Sequence, residues 1–97
     1  HPDGLYDPKQ YFDRLQRQYL VTRGATAGEA DAALAGVAEQ PVPRRWPLYA
    51  VAEKILATGE PLPAEWAVYG TSGYEFVNAV NGLFVDPAGE RPFTRLY

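Results

Sequence analysis

The chain has 97 residues, a net charge of −3 and an apolar fraction of 46%, which predict one small folded domain and exclude a disordered segment. It has no cysteine and its one histidine is His1, so disulfides, thiolate metal sites and histidine-based zinc clusters within these residues are excluded. Neither a basic face for nucleic acid nor a run of roughly 20 apolar residues for a membrane span is present. We expect a cytoplasmic chain without a signal peptide, metal, cofactor, nucleic-acid partner or membrane partner.

The first predicted helix follows a turn at residues 1–5 and runs from residue 8 to about residue 20. Asp7 is its predicted N-cap, and Pro8 suits the first helical position because no backbone donor is needed there. Apolar side chains recur at helical spacing and are expected to face the core, while the polar ones are expected to face solvent. The apolar set is Tyr11, Phe12, Leu15 and Tyr19, and the polar set is Asp13, Arg14, Gln16 and Arg17.

Residues 22–47 predict a short helix and then a connection. Thr26 and Glu29 have the spacing of a capping box, and the alanine-rich stretch after them favours a helix that ends near residue 39. Its large apolar residues are Leu34 and Val37, so we expect it to be weakly buried. Residues 40–47 are rich in proline and are expected to be extended.

Residues 48–56 are an apolar run bounded by Pro47 and by a cluster of helix and strand breakers at 57–61. This pattern is typical of a strand buried inside a parallel sheet. Glu53 and Lys54 lie at its C-terminal end, where parallel α/β folds place their catalytic groups. Alternatively, the two charges only mark where the strand reaches solvent. Because neighbouring strand residues point to opposite faces, Lys54 is expected to point away from Glu53.

Residues 60–66 predict a loop that ends at Trp66, which is either a core residue or a platform for a sugar ring. Ser72 and Glu75 have the spacing of a second capping box, and Tyr74 begins the apolar stripe of a helix that reaches about residue 81. A loop comes next, with another helix start near residue 92. The sequence contains one convincing strand, and a lone strand cannot pair the hydrogen-bonding groups along its own edges. We therefore expect these residues to be a piece of a larger sheet.

Several short motifs, taken together and in order, resemble maltooligosyltrehalose synthases, a family of (β/α)8-barrel enzymes in the α-amylase superfamily. The opening residues resemble the segment after the fourth barrel strand, and the later motifs resemble the fifth strand and the loop and helix after it. Residues 22–47 match weakly, and Ala52 and Ser72 stand where the family often has valine and threonine. The matching residues are His1 to Leu5, Asp7, Pro8, Glu53 to Leu56, Gly59 to Pro63, Trp66, Gly70 to Phe76 and Asn81 to Pro87.

The resemblance implies an α/β fold in which residues 1–97 are part of a catalytic TIM barrel belonging to a longer parent enzyme, whose remaining residues are its partner. It implies that Glu53 is the general acid/base. The nucleophilic aspartate would immediately precede the residue matching His1, and a further aspartate would come later in the parent. The candidate substrate-binding residues are His1, Asp3, Lys54, Trp66 and Tyr74.

The implied substrate is a maltooligosaccharide. The implied reaction is an intramolecular transglycosylation, which converts the α-1,4 linkage at the reducing end into an α,α-1,1 linkage. Such a retaining enzyme needs two carboxyl groups roughly 5 Å apart, one of them an acid that stays protonated. Apolar Val51 and Ile55 beside Glu53 suit that requirement. Two alternatives remain open: a hydrolase of the same superfamily, and a non-catalytic module that binds maltooligosaccharide.

Overall fold

Four α-helices and two 3-10 turns are the regular secondary structure of residues 1–96, the part of the chain described by the computed structural model. Tyr97, the last residue of the predicted domain, lies outside the described residues. The elements are a 3-10 turn at Pro2–Gly4, α1 at Pro8–Thr22, α2 at Ala27–Ala38, α3 at Tyr74–Gly82, a 3-10 turn at Pro87–Gly89 and α4 at Glu90–Thr94.

The first two helices begin as predicted. The carboxylate of Asp7 accepts a hydrogen bond of 2.9 Å from the backbone N–H of Gln10, which caps α1. At α2, Thr26 Oγ1 accepts from the N–H of Glu29 at 3.3 Å, and Glu29 Oε2 accepts from the N–H of Thr26 at 2.8 Å. The bond from the Thr26 N–H, followed by a 2.8 Å bond that the Thr26 hydroxyl donates to Glu29 Oε2, lowers the pKa of the Glu29 carboxyl group.

Helix α3 does not use the predicted capping box of Ser72 and Glu75. Its N-cap is Gly73, whose φ of 107° lies in the left-handed region that glycine tolerates best. The carboxylate of Glu75 accepts a hydrogen bond from the Thr71 hydroxyl instead. The box prediction was wrong because the positive φ at Gly73 turns the chain after Ser72, one residue later than the capping pattern requires.

The strand predicted at residues 48–56 is only partly formed. Ala52 makes a single parallel bridge with Thr71. Around it, Ala52 N–H donates to Gly70 O at 2.9 Å, Ser72 N–H donates to Ala52 O at 3.0 Å, and Tyr69 N–H donates to Ala50 O at 2.8 Å. The sequence predicts no strand for this partner segment. The chain thus pairs residues 48–56 with residues 67–72 in the parallel sense at one bridge, although residues 67–69 are bent; these two stretches are called the extended segments below.

Residues 48–56 are not buried on both faces, so that part of the strand prediction was wrong for the described residues. Their burial alternates with a period of two, as it does in an extended chain with one covered face. Ala52 is 3% exposed, whereas Tyr49, Val51 and Ile55 are all exposed. The face that carries Glu53 is therefore the uncovered one.

Gln16 joins α1 to both extended segments, although the sequence had placed it on the solvent face. Its side chain is 0% exposed. Its Nε2 donates to Leu48 O at 2.8 Å and to Ala67 O at 3.0 Å, while its Oε1 accepts from Leu48 N–H at 2.8 Å. The amide is buried because it satisfies backbone groups that have no ladder partner of their own.

A small core lies under the extended segments and is covered by α1 and α2. Leu34 and Val37 of α2 pack against its edge and stay partly exposed, as the weakly buried helix predicts. The core consists of Phe12, Trp46, Ala52, Ala67 and Val68.

Residues 74–96, which include α3 and α4, form an arm that contributes nothing to this core. All of them are exposed, and the molecule measures 67 × 27 × 19 Å. Soluble proteins seldom leave so many large apolar side chains uncovered on one segment. These side chains are Tyr74, Phe76, Val77, Val80, Leu83, Phe84, Val85, Phe93 and Leu96.

Candidate active site

One ion pair and one further side-chain contact tie the N-terminal turn to the end of the segment 48–56. Lys54 Nζ donates to Asp3 Oδ1 at 2.9 Å, and His1 Nε2 lies 3.4 Å from Glu53 Oε2. The sequence separation of these partners is about fifty residues. Four of the six residues predicted for the site are therefore neighbours.

Glu53 and Lys54 differ in exposure, as the alternating burial of residues 48–56 requires. The Lys54 side chain is 13% exposed, whereas that of Glu53 is 49% exposed. Lys54 also lies 3.4 Å from Glu60 Oε1, so its ammonium group has two carboxylate partners. The Glu53 carboxylate is therefore accessible, and the charge of Lys54 is paired with Asp3 and Glu60.

Lys54 and Glu60 both have shifted pKa values. The hydrogen bond to Asp3 raises the pKa of Lys54, opposed by partial burial and helped by Glu60. The pKa of Glu60 is lowered, first by the hydrogen bond that its carboxylate accepts from the Ala57 N–H and then by Lys54. Both groups therefore carry their charges at neutral pH.

Val51 and Ile55 lie on the same face as Glu53, but they do not bury it. Val51 is 44% exposed and Ile55 is 66% exposed. Together they form an apolar border on each side of the carboxylate. A substrate or another part of a protein bound on this face would shield Val51, Ile55 and the Glu53 carboxylate from water.

Trp66 and Tyr74 are not brought to Glu53 by any hydrogen bond or ion pair among residues 1–96. The Trp66 ring packs against Phe12 with centroids 5.5 Å apart, and it lies at the edge of the core. It also borders a groove of about 230 Å³ that does not include Glu53. Tyr74, at the first position of α3, is 40% exposed. Of the two readings of Trp66, its contacts favour the core residue.

Glu60, which pairs with Lys54, was not among the residues predicted for the site. The signal was its charge within a breaker-rich turn shortly after Lys54, but a solvated surface residue gives the same pattern.

Among residues 1–96, no three His, Asp or Glu side chains are grouped so that they could hold a metal ion. No helix in the same range is long and apolar enough to cross a membrane.

Comparison with known proteins supports the resemblance over part of the chain. A stretch of 46 residues is 46% identical to two curated proteins, from Mycobacterium tuberculosis strains CDC 1551 / Oshkosh and ATCC 25618 / H37Rv. Each of them is named "Putative maltooligosyl trehalose synthase". The stretch is 47% of this chain but only 6% of each relative. No family model and no solved structure matches the chain.

Proposed function

We propose that this chain is part of an enzyme that forms trehalose termini on maltooligosaccharides, with Glu53 as its general acid/base. The observation that carries the proposal is the 46% identity over 46 residues to proteins named for that activity. The accessible carboxylate of Glu53, at the end of an extended segment with a parallel partner, is consistent with a catalytic position in a (β/α)8 barrel.

The contact between His1 and Glu53 supports the expected catalytic pair. A retaining glycosyl-transfer enzyme needs its nucleophile and acid/base roughly 5 Å apart. Consecutive Cα atoms are about 3.8 Å apart, so a residue joined to the N-terminal side of His1 is within reach of that distance. In the proposal, an aspartate at that position of the parent enzyme is the nucleophile, and another part of the parent supplies the third carboxylate.

The proposed reaction has two displacements at one anomeric carbon. Glu53 protonates the oxygen of the last α-1,4 linkage as the aspartate attacks, so the glycosidic bond breaks and a glycosyl ester forms. The released glucose stays bound and turns. Its C1 hydroxyl then attacks the anomeric carbon of the glycosyl ester and loses its proton to Glu53, so the bond from that carbon to the aspartate oxygen breaks and the α,α-1,1 linkage forms. No water is consumed, so the site must exclude it.

Other candidate residues are proposed to bind the substrate. His1 and Asp3 border the approach to Glu53 and are proposed to bind sugar hydroxyls. Tyr74 keeps an exposed face that could stack on a sugar ring. The rest of the parent enzyme is proposed to cover the apolar arm at residues 74–96, since its large apolar side chains are exposed.

The activity is tested by incubating the parent enzyme with maltopentaose and counting reducing ends. Isomerisation removes one reducing end for each turnover, whereas hydrolysis creates one. We expect the number of reducing ends to fall, because the α,α-1,1 terminus of the product has no free anomeric hydroxyl. A rise would identify the parent as a hydrolase, and binding without any change would identify a non-catalytic module.

The chain of residues 1–97 is expected to form no trehalose linkage by itself, because two of the three proposed carboxylates belong to the parent. The measurement is product analysis after prolonged incubation with maltopentaose, with the parent enzyme as the positive control. Detectable α,α-1,1 product from the isolated chain would contradict the proposed division of the active site.

A further inference from the structure

We propose that Glu60 is a positioning residue, which holds Lys54 so that the turn carrying His1 and Asp3 stays against Glu53. The inference rests on the function proposed above and concerns how its site is held together. Among the described residues, the Glu60 carboxylate bonds to the Ala57 N–H and pairs with Lys54, and it has no hydrogen bond or ion pair with Glu53. Its effect would pass through Lys54.

The two carboxylate oxygens of Glu60 have different partners. Oε2 accepts a 2.9 Å hydrogen bond from the Ala57 N–H, and Oε1 lies 3.4 Å from Lys54 Nζ. The Glu60 N–H also donates to Ala57 O at 2.9 Å, and Gly59 has a φ of 80° that lets the chain turn. Because the turn fixes the carboxylate, Oε1 is held in place as an anchor for Lys54.

Lys54 passes this constraint to the N-terminal turn. Its Nζ lies between Glu60 and Asp3, and its side chain is 13% exposed, so few other positions are open to it. Asp3 is in the 3-10 turn whose Pro2 is fully buried. The turn is thus held at Pro2 by packing and at Asp3 by Lys54. His1, at the start of this turn, carries the imidazole that lies 3.4 Å from Glu53.

Loss of the Glu60 charge would leave Lys54 with one partner, Asp3, whose side chain is 71% exposed. A long lysine side chain with a solvated partner is poorly held. A displacement of the turn by about 1 Å would cost up to roughly a hundredfold in rate, since transglycosylation depends on alignment. Water would also compete better with the bound glucose, so the hydrolysed share of product should rise.

The contact between Glu60 and Lys54 can be tested without any activity. The chain has two lysines, and Lys9, whose side chain is 52% exposed, serves as an internal reference for Lys54. The full-length parent is labelled with a limiting amine-acylating reagent, and each lysine is followed by mass spectrometry. We expect Lys54 to react about tenfold more slowly than Lys9, because it is covered and its raised pKa leaves less free amine. Glu60→Gln should accelerate Lys54 but not Lys9.

The positioning role is tested in the parent enzyme by a double-mutant cycle of Glu60→Gln and Lys54→Met. Each single change is expected to lower kcat about tenfold or more with a smaller change in KM, and to raise the hydrolysed share of product. If Glu60 acts through Lys54, adding Glu60→Gln to Lys54→Met should change kcat less than about twofold. Glu65→Gln, an exposed carboxylate in the same loop region, is the matched control and should behave as wild type.

The outcomes separate this inference from the proposed function. Unchanged Lys54 labelling in Glu60→Gln, or a fully additive cycle, would overturn the positioning role even if the parent forms trehalose. A wild-type parent that forms no trehalose linkage would overturn the proposed function, and the labelling would still report the contact. Faster Lys54 labelling together with a non-additive cycle would support the inference.

Discussion

Glu53→Gln in the parent enzyme is expected to lower turnover about a thousandfold and to leave substrate binding nearly unchanged. The amide has almost the same shape as the carboxyl group, but it neither donates the proton that the leaving oxygen needs nor accepts one from the attacking hydroxyl. Because Glu53 is half-exposed, its replacement is not expected to disturb the fold. Single-turnover rates and maltooligosaccharide affinity, measured on the same preparation, separate chemistry from binding.

A substrate with an aryl leaving group refines this test, because such a group departs without protonation. Glu53→Gln should then form the glycosyl ester at a rate much closer to that of wild type, while the later attack by a sugar hydroxyl stays slow. Glu65→Gln is the matched control for loss of one surface carboxylate. Near-normal turnover of maltopentaose by Glu53→Gln would remove Glu53 from the mechanism.

Gln16→Leu is expected to lower the free energy of unfolding by about 3 kcal/mol, the largest effect on stability among these changes. Leucine fills a similar volume, but it breaks three hydrogen bonds and leaves the N–H and C=O of Leu48 and the C=O of Ala67 without their partner. Each buried backbone group left unpaired carries its full desolvation cost. Urea denaturation of the chain, followed by tryptophan fluorescence, measures the change, since Trp46 and Trp66 both lie in or against the core.

The control for this change is Gln18→Leu, which removes a glutamine from the exposed side of the same helix. We expect its effect to be within about 0.5 kcal/mol. If the two substitutions destabilise the chain equally, Gln16 does not join α1 to the extended segments. In the parent enzyme, Gln16→Leu should also reduce activity, because residues 48–56 position Glu53.

The helices at the start of the chain were predictable because their signals are local. Asp7 with Pro8, and Thr26 with Glu29, act on backbone groups within three residues, and the structure shows both caps. The same kind of pattern failed at Ser72, where the positive φ of Gly73 changed the direction of the chain. Local patterns thus predict a helix well, but they place its first residue less reliably.

Contacts between distant residues could not be predicted in this way. The parallel pairing of Ala52 with Thr71 depends on how the loop between them folds back. The burial of Gln16 depends on backbone groups 32 and 51 residues away, and nothing beside it in the sequence distinguishes it from its solvent-facing neighbours. The role proposed for Glu60 also needs three segments to meet, which only the fold reveals.

By itself, the sequence determined the two N-terminal helices and the alternation along residues 48–56, in which Lys54 is covered and Glu53 is half-exposed. The choice of Glu53 as the candidate acid/base came from the family resemblance. Only the tertiary structure decided which face of that segment is covered, and that Lys54 is held between Asp3 and Glu60. These features depend on long-range packing and charge pairing, which the order of residues specifies only through the whole fold.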